Sequence, residues 1–181
     1  MADEKDDIRK ELGLVQIYTG NGKGKTTAAL GLSLRAAGRG LNVLFLQFMK
    51  PSSGFGEQIM CQQIPGITMV SMGLDHFVGK EPTEGDIKAA HEALSKAEDM
   101  MASKKYDVVV LDEALNAVRY KLIASSELLE ALKRRPEHIE VVLTGRGLPD
   151  DLAEYADLIT EMKLVKHPFD KGINARKGIE Y

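Results

Sequence analysis

The chain has 181 residues, 44% of them apolar and 28% charged, which suits one soluble domain with a sizeable core. With 24 basic and 27 acidic residues the net charge is −3, which argues against a general nucleic-acid binder. A single cysteine, Cys61, rules out an internal disulfide and fits a reducing, cytoplasmic setting; four scattered histidines give no structural zinc pattern, and no apolar run is long enough to span a bilayer.

Residues 1–12 are acidic and polar, unlike a secretory signal, and read as a flexible N-terminal arm ahead of a single domain at 13–181. The domain opens on LVQIYTGNGKGKTTAAL, residues 14–30. An apolar strand, 14–18, turns through Thr19, Gly20, Asn21, Gly22, Lys23 and Gly24, and Lys25, Thr26 and Thr27 then enter a helix expected over 25–37. Strand, glycine-rich loop and helix together form a phosphate cradle. Glycines let successive backbone N–H groups converge on an anion, and the helix N-terminus adds partial positive charge. Lys25 supplies an ammonium for the phosphates and is the candidate catalytic residue, and the Thr26 hydroxyl suits Mg²⁺. The spacing is shorter than the usual phosphate loop: Gly20 is followed by only Asn21, Gly22 and Lys23 before Gly24-Lys25. The plain alternative is a glycine-rich turn, but the required strand and helix stand on either side.

Residues 41–48, LNVLFLQF, are a nearly continuous apolar run, the signature of a buried parallel strand. The loop 50–56 follows it and faces the phosphate-loop side, since loops at the carboxyl ends of strands line the crevice of an open α/β sheet. A short helix is expected over 57–63 and a third strand over 67–71. The segment 72–82 carries His76 and Phe77, and loop packing is the default for Phe77. Thr83 caps a helix over 84–103, with Asp86 in the capping-box position; Ile87, Ala90, Ala93, Leu94, Ala97 and Met101 give it one apolar face.

Residues 106–113, YDVVVLDE, form a buried strand with Asp112 and Glu113 at its carboxyl end, where a nucleotide site needs a carboxylate to complete a Mg²⁺ shell. Helices follow over 114–121 and 125–134, the second with Ser125 as the better cap candidate. HIEVVLTGRG, residues 138–147, is another strand running into a glycine-bearing turn on the ligand face. Arg146 there is a candidate for phosphate or ribose, weighed evenly against a surface salt bridge. A helix begun by Pro149 runs to 155 and a last strand spans 157–162. The tail is basic, turn-rich and without periodic structure, and a structural role is the default for His167. The alternation of strands and helices implies a mostly parallel sheet with helices on both faces: an α/β single domain, P-loop NTPase-like (RecA-like).

The chain resembles the ATP:corrinoid adenosyltransferases that act on cob(I)alamin and cobyrinic acid derivatives. The resemblance rests on YTGNGKGKTTAA (18–29), FMKPSSGFGE (48–57), VVVLDE (108–113), VVLTGRG (141–147) and the ending ADLITEMKLVKHPFDKGINARKGIEY (156–181), in that order. It implies transfer of the 5′-deoxyadenosyl group of ATP to Co(I), with triphosphate leaving, so no Ser, Cys or His nucleophile is required. It assigns residues 20–27 to the ATP phosphates, Thr26 and Glu113 to Mg²⁺ with Asp112 beside them, and Phe77 to the corrinoid. Some members of the family carry Phe-Thr-Trp where this chain has Phe77-Val78-Gly79, and the chain has no tryptophan. The resemblance also implies a homodimer, an electron donor that makes Co(I), and an N-terminal arm closing over the site. A kinase or ATPase acting at the γ-phosphate, and a non-catalytic ATP- or corrinoid-binding module, are the competing classes. No nucleic-acid or membrane partner is expected.

Overall fold

A computed structural model describes residues 7–76, 78, 79 and 81–181. Six parallel strands form one sheet in the order β3-β2-β4-β5-β1-β6: β1 Val15–Thr19, β2 Val43–Gln47, β3 Ile67–Ser71, β4 Val108–Asp112, β5 Glu140–Thr144 and β6 Leu158–Glu161. The sheet is thus wholly parallel, and its three inner apolar runs, β2, β4 and β5, are buried at every position. A strand covered on both faces has no solvent side on which to place polar residues, which is why these segments do not alternate.

Helix α1, Lys25–Gly38, covers one face, where Ala29 packs with Phe45, Val110 and Val142. The opposite face carries Leu44, Leu46, Val109, Leu111, Val141 and Leu143. Against it lie α3 (Glu84–Ala102), α4 (Ala114–Arg119), α5 (Ser125–Arg134) and α6 (Asp150–Tyr155), through Ala93, Ala97, Leu115, Leu128 and Leu152 among others. The short α2, Gly56–Cys61, follows β2.

Local chemistry sets the element ends. Thr83 caps α3 as its sequence implies: its hydroxyl accepts from the Asp86 N–H, and the Asp86 carboxylate accepts from the Thr83 N–H at 2.9 Å. The α5 cap departs from expectation. Ala124, not Ser125, is the cap residue, because Glu127 reaches back to accept its N–H at 2.7 Å. The tail, expected to lack regular structure, holds one 3₁₀ turn at Pro168–Lys171, and the His167 ring accepts the Phe169 N–H at 3.1 Å.

Within the stretch read as an arm, residues 7–12 lie at the amino ends of the strands, away from the phosphate loop. Ile8 and Leu12 pack on Leu41, Val43 and Val108, and Arg9 pairs with the buried Asp107 at 2.6 Å.

Candidate active site

The loop after β1 and the carboxyl ends of β2, β4 and β5 converge on one cavity of about 540 Å³. Asn21, Gly22, Lys23, Gly24, Lys25, Thr26 and Thr27 line it, together with Lys50, Glu57, Glu113 and Arg146. Gly24 is the cap residue of α1 and offers no side chain, so the first turn of the helix faces the cavity with its N–H groups uncovered by any side-chain acceptor. Lys25 rests on its own loop, its Nζ donating to the carbonyls of Gly20 at 2.8 Å and Gly22 at 2.7 Å. Burial, with the nearby Arg146, pulls its pKa below the ordinary lysine value, against the pull of Glu113 and Asp112.

Two residues expected at the phosphates, Thr19 and Gly20, do not line this cavity. Thr19 is the last residue of β1, nearly buried, and its carbonyl accepts the Met162 N–H at 2.8 Å. The glycines also answer a steric demand the sequence does not display. A Cβ on Gly22 would stand 2.6 Å from Met162 O, and one on Gly20 2.5 Å from the same oxygen. The Gly22 N–H donates to that oxygen at 2.7 Å, so this donor is already engaged.

Asp112 is the centre of the polar floor. It is fully buried and meets four donors. Thr26 Oγ1 at 2.8 Å and Thr144 Oγ1 at 2.7 Å donate to its Oδ1; Lys50 Nζ at 3.0 Å and Gln47 Nε2 at 3.2 Å donate to its Oδ2. Thr144 also accepts the Glu113 N–H at 2.9 Å, tying the ends of β4 and β5 together. Lys50 further contacts Glu57 at 3.3 Å and stands 5.3 Å from the centre of the Phe55 ring. Burial would lower the Lys50 pKa, but Asp112 and Glu57 outweigh it and hold the ammonium above its usual value.

Glu113 differs from its neighbour. Its backbone is left-handed at φ 64, a conformation that a non-glycine residue adopts at some cost and that occurs often at functional sites. Its carboxylate accepts from Asn116 Nδ2 and lines the cavity. Desolvation first, then the adjacent Asp112, raises its pKa. Arg146 lines the same cavity, and its backbone N–H donates to Asn116 Oδ1 at 2.8 Å.

A second, more apolar cavity of about 340 Å³ adjoins the first and shares Lys50, Phe55 and Glu113 with it. Met49, Leu74, Val78 and Tyr120 line it, with His76, whose Nε2 lies 3.0 Å from the Asp86 carboxylate. Phe77, the expected corrinoid contact, lies outside the described residues. Lys50, Glu57, Thr144 and Asn116 were not singled out from the sequence. Their one visible signal is position, at or just after the carboxyl ends of β2, β4 and β5.

A glycine-rich loop leading into helix-borne Lys25 and Thr26, with the Thr26 hydroxyl on the carboxylate at the end of a parallel strand, defines a P-loop nucleotide-binding protein. The fold agrees with this. The chain superposes on the assembled ATPase EscN of an E. coli type III secretion system with TM-score 0.53 at 19% identity, covering 83% of this chain and 42% of that one. It superposes on the flagellar accessory protein FlaH of Methanocaldococcus jannaschii with TM-score 0.56 at 12% identity, covering 89% and 77%. The family model for ATP:corrinoid adenosyltransferase BtuR/CobO/CobP matches residues 11–181. The corrinoid adenosyltransferase of Escherichia coli K12 is 38% identical, over 98% of this chain and 93% of its own. The corrinoid adenosyltransferase CobA of Salmonella typhimurium is 38% identical, over 96% and 88%, and that of Pseudomonas aeruginosa 36%, over 100% and 90%. The chain belongs to the ATP:corrinoid adenosyltransferase family.

Proposed function

We propose that the chain transfers the 5′-deoxyadenosyl group of ATP to the Co(I) of a corrinoid. The observation that carries the reading is the adjacency of a phosphate-loop cavity and an apolar cavity, sharing Lys50, Phe55 and Glu113, in a member of this family. Cobalt(I) gives its electron pair to the ribose 5′ carbon. The Co–C bond forms, the C5′–O bond breaks, triphosphate leaves with that bond's electrons, and cobalt is oxidised by two electrons. No proton leaves the nucleophile, so the protein has no need of a general base.

What remains for the chain is alignment and charge stabilisation. The backbone of the loop and the first turn of α1, with the side chains of Lys25, Thr26 and Thr27, hold the triphosphate, and Lys25 leaves its two loop carbonyls for the phosphate oxygens. Arg146 adds a second cation on the same wall. The oxygens of Thr26, Glu113 and Asp112 suit Mg²⁺, a hard cation that favours hydroxyl, carboxylate and phosphate ligands. Among the described residues no group of three or more His, Cys, Asp or Glu forms a metal site, in keeping with an ion held largely by the nucleotide. Asp112 already meets four donors, so Glu113 is the carboxylate freer to reach the metal, with Asp112 fixing the Thr26 hydroxyl. A Mg²⁺ held by these residues would supply positive charge against the triphosphate.

The corrin face is assigned to the apolar cavity, with Phe77 beside it in sequence. An electron donor that makes Co(I), a homodimeric assembly and a cytoplasmic location complete the reading. It is consistent with these that no helix among the described residues is long and apolar enough to cross a membrane.

The test is an anaerobic assay of the protein with Mg-ATP and chemically reduced cobalamin, followed by visible spectroscopy and phosphate analysis. A light-sensitive cobalt–carbon product with one triphosphate per turnover is expected. ADP without that product would return the chain to the phosphotransferases that act at the γ-phosphate.

A further inference from the structure

The end of the chain lies on the rim of the nucleotide cavity. Lys23, in the phosphate loop, donates from Nζ to Glu180 Oε1 at 2.9 Å and to the Ile179 carbonyl at 3.1 Å. Glu180 is gripped from its other side by Arg176, whose backbone N–H at 2.7 Å and Nε at 3.2 Å donate to Oε2 and whose Nη2 donates to Oε1 at 3.0 Å. These donors hold the Glu180 carboxyl down to about 2, so it is ionised across the working range. Tyr181 then folds back, its carbonyl accepting the Gly178 N–H at 2.6 Å. Its ring meets Phe55 edge-on, centroids 6.5 Å apart. Residues 178–181 therefore bridge the phosphate loop and the loop after β2, and all four line the cavity.

Lys23 thus has a partner other than phosphate. Its ammonium is spent on a carboxylate that would repel a triphosphate, which makes this rim a poor anion site. The same rim presents the Tyr181 ring and the Ile179 side chain, 41% and 58% exposed, next to the cavity. A flat, uncharged nucleoside suits that surface; a phosphate does not.

We propose that Lys23 is the anchor of a C-terminal strap, and that residues 178–181, pinned at Lys23–Glu180 and at Tyr181–Phe55, form the wall that retains and positions the nucleoside end of the nucleotide. Lys23 and Glu180 are positioning residues in this assignment. It rests on the loop binding ATP, but not on the corrinoid.

The experiment is calorimetric titration, with Mg²⁺ present, of ATP and separately of inorganic triphosphate into wild type, Lys23→Met, Glu180→Gln and the double variant. Each single change is expected to weaken ATP by about fivefold, the scale of an exposed ion pair. The double variant should weaken it less than the two singles combined, since both remove the Lys23–Glu180 contact, though Lys23→Met also gives up the Ile179 carbonyl. Triphosphate, lacking the nucleoside, should bind all four proteins alike. A Lys23→Met variant that loses ATP and triphosphate equally, with Glu180→Gln unaffected, makes Lys23 a phosphate ligand and overturns the proposal. Unchanged ATP affinity in every variant overturns it as well. A wild-type protein that binds neither ligand refutes the nucleotide reading itself, a different result from either. The affected side chains lie at the surface, and a matching thermal transition in all four proteins confirms that each is folded.

Discussion

Thr26 and Asp112 stand 86 residues apart in sequence and 2.8 Å apart in space, the hydroxyl at the start of one helix donating to the carboxylate at the end of a buried strand. With Thr144, Lys50 and Gln47 on the remaining lone pairs, Asp112 is an acceptor to four donors. Asp112→Asn puts an amide N–H₂ where two of these donors point and leaves Lys50 with one carboxylate partner in place of two. A loss of about 3 kcal/mol is expected, the scale of breaking a buried ion pair. Urea unfolding of the variant measures it, and a loss under about 1 kcal/mol would mean that the four contacts are not the fixed floor described.

Lys25→Ala removes the ammonium assigned, under the proposed function, to the departing triphosphate. Turnover should fall by about 100-fold or more, as for deletion of one key transition-state donor. Steady-state rates of cobalt–carbon bond formation give the answer. Because the Lys25 contacts are to two carbonyls of its own loop, which can take water instead, the unfolding midpoint should move little.

Gly22→Ala separates the two demands on the loop. The φ of Gly22 is not in the left-handed region, so an alanine is not strained there by its backbone. Its Cβ would nevertheless stand 2.6 Å from Met162 O and 2.9 Å from the Lys163 carbonyl carbon, both main-chain atoms with little room to move. A destabilisation of about 1–3 kcal/mol is expected, the cost of overpacking, with weaker ATP binding because the loop is displaced. Thermal denaturation and calorimetry on the same samples check both effects. Full stability with weakened ATP would show that the glycine serves the ligand alone.

Asp86 gives a pH signature far from the chemistry. The Thr83 hydroxyl first, then the Thr83 N–H and His76, hold its carboxyl below the usual value. A depressed carboxyl contributes stability that is present above the unfolded-state pKa, about 4, and is lost as pH falls through the folded-state value. Asp86→Asn should therefore be less stable than wild type at pH 7, and the two should converge in acid. Thr83→Ala should cost about 1 kcal/mol at neutral pH. Denaturant melts from pH 7 down to pH 3 test this; parallel curves for wild type and Asp86→Asn would exclude the linkage.

Much of this was legible in the sequence because it is local. The apolar runs of β2, β4 and β5, the span of β3, the Thr83–Asp86 cap and the Gly24-Lys25-Thr26 helix entry all depend on residues a few positions apart. The α5 cap was misplaced because two local signals competed, and the reach of Glu127 to Ala124 prevailed over Ser125. The misses at the site are of another kind. Lys50 with Asp112, Thr144 with Glu113, and Gly22 with Met162 pair residues whose strands become neighbours only through the order β3-β2-β4-β5-β1-β6. Hydrophobic periodicity specifies which segments are strands and is silent on which strand lies beside which. Thr19 was assigned to phosphate because the motif begins there, whereas its burial follows from β1 having partners on both sides.

The placement of β1 between β5 and β6 also governs how the molecule is made. β1 pairs with β5 and β6, more than 120 residues further along the chain. Leu14 is satisfied by Glu140 across 126 residues and Val15 by Asp157 across 142. Such distant pairings carry the full loop-closure entropy before they return any stability, so the β5-β1-β6 side of the sheet is slow to close. The phosphate loop leans on the backbone after β6, the Gly22 N–H donating to the Met162 carbonyl, so the loop takes its described form only once β6 is in place beside β1. Truncations that remove β6 and the residues beyond it should then act on the opposite end of the gene product, leaving the loop at residues 20–27 without the backbone it leans on.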